Sequence, residues 1–168
     1  MRIARLLRHL SRPAWTVRRA FPAPVMEAIG QAIARSETTH SGEIRFAVEH
    51  ALDLPDLLAE GSAAQRALAV FSDLRVWDTE HNNGVLIYFL LADQDFEIVA
   101  DRGIHSRVGA QGWEAICRQM EALIGAGQFQ QAVLAGVAAI GEHLRRSEER
   151  RVGKECPTEC RSRWSPYH

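Results

Sequence analysis

Eight consecutive apolar residues, Val85 to Ala92, are bracketed by the polar turns Asn82-Asn83-Gly84 and Asp93-Gln94-Asp95. A bilayer span needs roughly 20 apolar residues, so this run is too short to cross a membrane. It has the length of a strand covered on both faces. A strand of that kind needs helices above and below it, which restricts the chain to a layered α/β architecture.

The flanking patterns supply the layers. Val25, Met26, Ile29 and Ile33 recur at helical spacing and predict a helix to about Ser36. Ile44, Phe46 and Val48 alternate with Arg45, Ala47 and Glu49, as in a half-buried strand. Residues 52–61, with Pro55, read as an irregular connection. Ser62 is placed to cap a helix to about Leu74, with Leu68, Phe71 and Leu74 or Val70 inward. After the apolar run, Phe96 to Ala100 forms a third strand. Helices follow over about 111–124 and 129–144. The order predicts a single-domain α/β/α sandwich with a small mixed sheet: a parallel crossover pair plus an antiparallel hairpin.

The sandwich is expected over residues 23–146. Residues 1–22 carry Arg2, Arg5, Arg8, Arg12, Arg18 and Arg19, with no acid before Glu27. Ile3, Leu6, Leu7 and Leu10 interrupt those arginines at helical spacing, which predicts a short basic amphipathic helix. Such a helix either docks on its own domain or lies on an anionic membrane surface, with Trp15 at the interface. The chain has a formal net charge of −1 and no nucleic-acid partner is expected. A cytoplasmic bacterial protein is expected; the membrane-surface alternative would make residues 1–20 its peripheral contact.

From Ser147 the apolar periodicity stops. Lys154, the one lysine, and Cys156 and Cys160 lie beyond that point. The strings at 150–156 and 161–168 resemble translated sequencing-adapter sequence, so residues 147–168 are expected to be a non-native, disordered tail. Cys156, Cys160 and His168 have poor spacing for a metal knuckle. Cys117, on a predicted helix, reads as a reduced core thiol.

The topology has a geometric consequence. Glu43 precedes the first strand, Asn82 and Asn83 precede the second, and Asp101 follows the third, which runs back. All should meet at one sheet edge, near Asp78, Glu80, His81, Arg102 and His105. Carboxylates with amide oxygens suit a hard cation such as calcium or magnesium. Glu43, Asp78, Asn82 and Asp101 are the candidate metal ligands. Asp78, Asp101 and His105 are the candidate catalytic groups, and Arg102 and Asn83 the candidate substrate contacts. Local turn hydrogen bonding is the commoner role of Asn and Asp beside strands and is the competing account of the same residues.

Thr39-His40-Ser41-Gly42-Glu43-Ile44, Trp77-Asp78, Asn82-Asn83-Gly84-Val85-Leu86-Ile87, Phe96-Glu97-Ile98-Val99-Ala100 with Gly103, and the segment 127–136 together resemble the TPM domain. The family takes its name from a thylakoid lumen protein, a photosystem repair protein and a nematode receptor modulator. The resemblance implies an α/β/α sandwich and a divalent-cation site. For function it implies an interaction or assembly module near membrane protein complexes, with a divalent-cation-dependent acid phosphatase as the alternative. Many relatives carry a signal peptide and a C-terminal membrane helix, and neither pattern occurs here. His105 stands where relatives place an acidic residue.

Leu90-Leu91-Ala92-Asp93-Gln94-Asp95 also looks like a haloacid-dehalogenase nucleophile loop. Phe96 opens the next strand at once, so a tight hairpin turn is expected instead. His40, His50 and His143 lack partners at metal-site spacing and read as structural or exposed.

Overall fold

The computed structural model describes residues 2–11 and 13–152. Among the described residues ten elements follow one another: α1 (Arg2–Ser11), α2 (Trp15–Ala20), α3 (Ala23–Glu37), β1 (Ile44–Glu49), α4 (Leu54–Leu58), α5 (Ala63–Asp73), β2 (Val85–Leu90), β3 (Asp95–Ala100), α6 (Arg102–Gly125) and α7 (Phe129–Val152). The three strands lie in the order β1-β2-β3. β1 pairs parallel with β2, Ile44 opposite Val85. β2 pairs antiparallel with β3, Val85 opposite Ala100. The mixed α/β sandwich expected from the sequence is therefore present.

All six residues of β2 are buried. Strand side chains alternate faces, and the two faces of β2 enter two cores. Val85, Ile87 and Phe89 pack in a cluster with Ile29, Ile116, Met120, Val133, Val137, Ile140 and Leu144, contributed by α3, α6 and α7. Leu86, Tyr88 and Leu90 pack with Leu52, Ala63, Ala67, Val70, Phe71 and Val76, mostly on or beside α5. Burying each large side chain is worth roughly 1.5–3 kcal/mol, so this strand anchors both layers.

Several boundaries differ from the sequence pattern. α4 occupies part of the connection read as irregular; Pro55 sits in its first turn, where its missing N–H costs nothing. The Ser62 cap is present, with Gln65 completing a reciprocal capping box. α5, however, turns Ala63, Ala67, Val70 and Phe71 inward and leaves Leu68 and Leu74 exposed. Small alanines let the helix close on the sheet, and Leu68, one position past Ala67, is rotated about 100° away. α6 begins at Arg102 rather than near Gln111. A break at Gly109 (φ 72°) separates its first turns from the rest and hides them from a periodicity count.

α7 continues past Leu144 to Val152, so the expected tail boundary at 147 falls inside a helix. Ser147 is buried, its Oγ donates to the Leu144 carbonyl, and its own carbonyl accepts from Arg107. Glu148 accepts from both the amide and the hydroxyl of Ser41. Glu142, Arg145 and Arg146 form ion pairs along this stretch, which apolar periodicity does not register. Cys156, Cys160 and His168 lie outside the described residues. Among the described residues, no helix is long and apolar enough to cross a membrane.

Candidate cation-binding edge

The three strand ends expected to meet do meet along the backbone. The Val85 amide donates to the Glu43 carbonyl at 2.8 Å, and the Asp101 amide donates to the Gly84 carbonyl at 2.9 Å. Gly84 is wedged against the preceding loop: a Cβ there would fall 1.8 Å from the Val76 carbonyl oxygen. Asn82 takes a left-handed conformation (φ 51°), which Asn tolerates better than most residues. Its carbonyl accepts from the Ile104 amide at 3.2 Å, tying the loop to the first turn of α6. Gly103 permits that approach, since a Cβ would come within 2.5 Å of the His81 and Asn82 carbonyl oxygens.

Asn83 is buried at the centre of this edge. Its amide N–H donates to the Thr79 hydroxyl, and its Nδ2 donates to Ser41 Oγ at 3.3 Å. Its Oδ1 is buried without a partner. Asp101 caps α6, Oδ1 accepting from the Arg102 amide at 2.7 Å, while Oδ2 is likewise buried and unpartnered. Two buried oxygens left without donors each represent a desolvation cost of about 1–3 kcal/mol.

The other candidate residues are placed differently. Glu43 pairs with Arg45 at 2.5 Å. Asp78 is exposed, in the turn where its amide donates to the Arg75 carbonyl. Arg102 and His105 are exposed on the first turns of α6, and the His105 ring stacks on Trp113 with centroids 6.4 Å apart. Among the described residues, no group of three or more His, Cys, Asp or Glu side chains is placed to hold a metal ion. The expected four-ligand set of Glu43, Asp78, Asn82 and Asp101 is thus not assembled as a side-chain cluster. The side-chain oxygens left without a donor at this edge are those of the Asn83 amide and the Asp101 carboxylate. Ser41 and Thr79 accept from Asn83, and Glu148 in turn accepts from Ser41. Sequence spacing gave no reason to single out Thr79, and Glu148 lay in the presumed tail.

At the far end of the sheet, the Asp-Gln-Asp turn is structural. Asp93 accepts from Arg5 at 2.7 Å and from His9 Nε2 at 2.9 Å. Burial pushes its carboxyl up, but the bonds from Arg5 and His9 outweigh that and hold it below the usual carboxylate value. His40 is buried, with Nε2 3.0 Å from Ser36 Oγ, and burial lowers its pKa. Burial raises that of the half-buried Cys117 thiol.

The pattern of the TPM domain matches residues 21–143. The chain belongs to the TPM domain family. The TPM domain here also resembles a solved structure, the NMR structure of the BA42 protein from the psychrophilic bacterium Bizionia argentinensis. The two are 30% identical, with a TM-score of 0.67, over 76% of this chain and 83% of that one. No curated protein sequence matches the chain.

Proposed function

We propose that this TPM domain is a divalent-cation-binding assembly module acting near membrane protein complexes. The observation that supports this reading is the pair of buried, unpartnered oxygens, Asn83 Oδ1 and Asp101 Oδ2, at the ends of adjoining segments. A hard cation at this edge would satisfy both, with the His81 and Asn82 carbonyls as neighbouring donors. One carboxylate among neutral oxygens suits the irregular coordination of calcium better than the strict octahedron of magnesium. The bound ion would tie the loop 78–84 to the start of α6 and stiffen the surface offered to a partner.

A second reading, a divalent-cation-dependent acid phosphatase, draws support from Arg102 and His105. Both are exposed on the α6 turn that follows Asp101. Arg102 would grip a phosphate oxygen and His105 would move a proton.

One experiment addresses both. Melting temperature is measured with and without calcium, magnesium and manganese, and phosphomonoester turnover is measured in the same samples. An ion at 100 times its Kd should stabilise the native state by about 2.7 kcal/mol. Asp101→Asn should lose most of that gain. An unchanged melting temperature in every ion, or an equal gain in Asp101→Asn, sinks the cation site. Turnover lost in His105→Gln would favour the phosphatase over the assembly module.

A further inference from the structure

We propose that the outer face of α1, with the start of α2, is a docking surface for an anionic lipid bilayer. At about 100° per residue, Ile3, Leu7 and Leu10 share one face of α1, while Arg5 and His9 lie on roughly the opposite face. An amphipathic helix on its own domain ordinarily buries its apolar face. α1 does the reverse. Its polar side is inward: His9 is buried, and Arg5 bonds both Asp93 and the Gly61 carbonyl. Its apolar ridge is outward, with Ile3 75%, Leu7 60% and Leu10 64% exposed. Trp15 on α2 is also exposed, beside exposed Arg18 and Arg19.

Charge selects the partner. The segment before Glu27 holds six arginines and no acid; Arg5 is turned inward and Arg8 lies 3.8 Å from Asp93, while Arg8, Arg18 and Arg19 are exposed. Exposed leucine and isoleucine flanked by arginine, with a tryptophan nearby, match the headgroup–acyl boundary of an anionic membrane. The surface rests on α1 and α2 alone, at the sheet end away from Asn83, so failure of the cation test leaves it standing.

The test is co-sedimentation of the full chain with phosphatidylcholine vesicles, with and without phosphatidylglycerol. Binding is expected on the phosphatidylglycerol vesicles, weakened by salt as screening shortens the reach of the arginines. The double substitution Leu7→Ser/Leu10→Ser should weaken it roughly tenfold or more. Because both side chains are exposed, the melting temperature should stay unchanged. Arg18→Gln/Arg19→Gln should weaken it several-fold. Absence of binding, equal binding to vesicles lacking phosphatidylglycerol, or equal binding by the leucine variant would overturn the proposal. So would sedimentation of the free protein as a dimer that Leu7→Ser/Leu10→Ser dissociates, since a second copy would then be the occupant.

Discussion

His9 accepts the Leu52 amide N–H on Nδ1 at 3.0 Å, and its Nε2 lies 2.9 Å from Asp93 Oδ1. A ring nitrogen that accepts carries no proton, so the other must donate, which fixes one neutral tautomer. The ring thus joins α1, the connection before α4 and the β2–β3 turn. His9→Ala strands the Leu52 amide and removes one donor from Asp93. The expected cost is about 1–3 kcal/mol in urea unfolding. Hydrogen exchange should show α1 losing protection well before β2.

The same network sets an acid limit. The Asp93 carboxyl is held below its ordinary value of 3.8 in the folded chain. The native state therefore binds fewer protons than the unfolded one, and stability rises with pH through that range. The Asp93 contribution is complete above the ordinary carboxylate value and is lost as pH falls through the lowered one. Urea midpoints for wild type and Asp93→Asn should be well separated at neutral pH and converge in strong acid. A constant separation across the titration would rule out this linkage.

Two glycines distinguish a close approach from mere helix composition. A Cβ on Gly84 meets the Val76 carbonyl oxygen at 1.8 Å, so Gly84→Ala must displace backbone. A loss of more than about 3 kcal/mol is expected, at the extreme of single substitutions. Gly30, inside α3, has nothing within 4 Å of a Cβ. Gly30→Ala should raise stability by roughly 0.5–1 kcal/mol through helix propensity. Thermal unfolding of the two variants checks both signs.

The fold was legible because Val85 to Leu90 has one plausible environment, and its flanking turns set strand order and direction. The convergence of Glu43, Gly84 and Asp101 followed from that order alone. Side-chain assembly did not, because it depends on geometry that spacing leaves open. Asp78 points into solvent on a turn, and Glu43 is taken by Arg45. Asn83, the candidate substrate contact, sits buried at this edge with its Nδ2 donating to Ser41 Oγ, a contact that spacing does not reveal. The end of α7 was missed because charge pairs along the helix, rather than an apolar stripe, mark its last turns. The inward side of α1 was hidden because a histidine and an arginine, normally surface residues, make its contacts.

Glu49 offers a sharper electrostatic test. The Tyr88 hydroxyl donates to it at 2.7 Å, and Arg66 donates to both of its oxygens at 2.9 and 2.7 Å. Burial pushes the Glu49 carboxyl up, but the Arg66 and Tyr88 bonds outweigh it and hold the carboxyl below the ordinary range. In wild type this stabilisation is present above the ordinary glutamate value and lost as pH falls through the lowered one. Tyr88→Phe should cost about 1–2 kcal/mol at neutral pH and Arg66→Met somewhat more. In the double variant burial is opposed only by the charge of His50, the smallest of the contributions, so the folded pKa should rise above the unfolded one. The native state then binds more protons, and the sign reverses. Between neutral pH and the ordinary glutamate value, acidification should stabilise the double variant relative to wild type. Urea unfolding of the four proteins of this double-mutant cycle at several pH values measures that reversal. An unchanged slope would show that the carboxylate is solvated by other means.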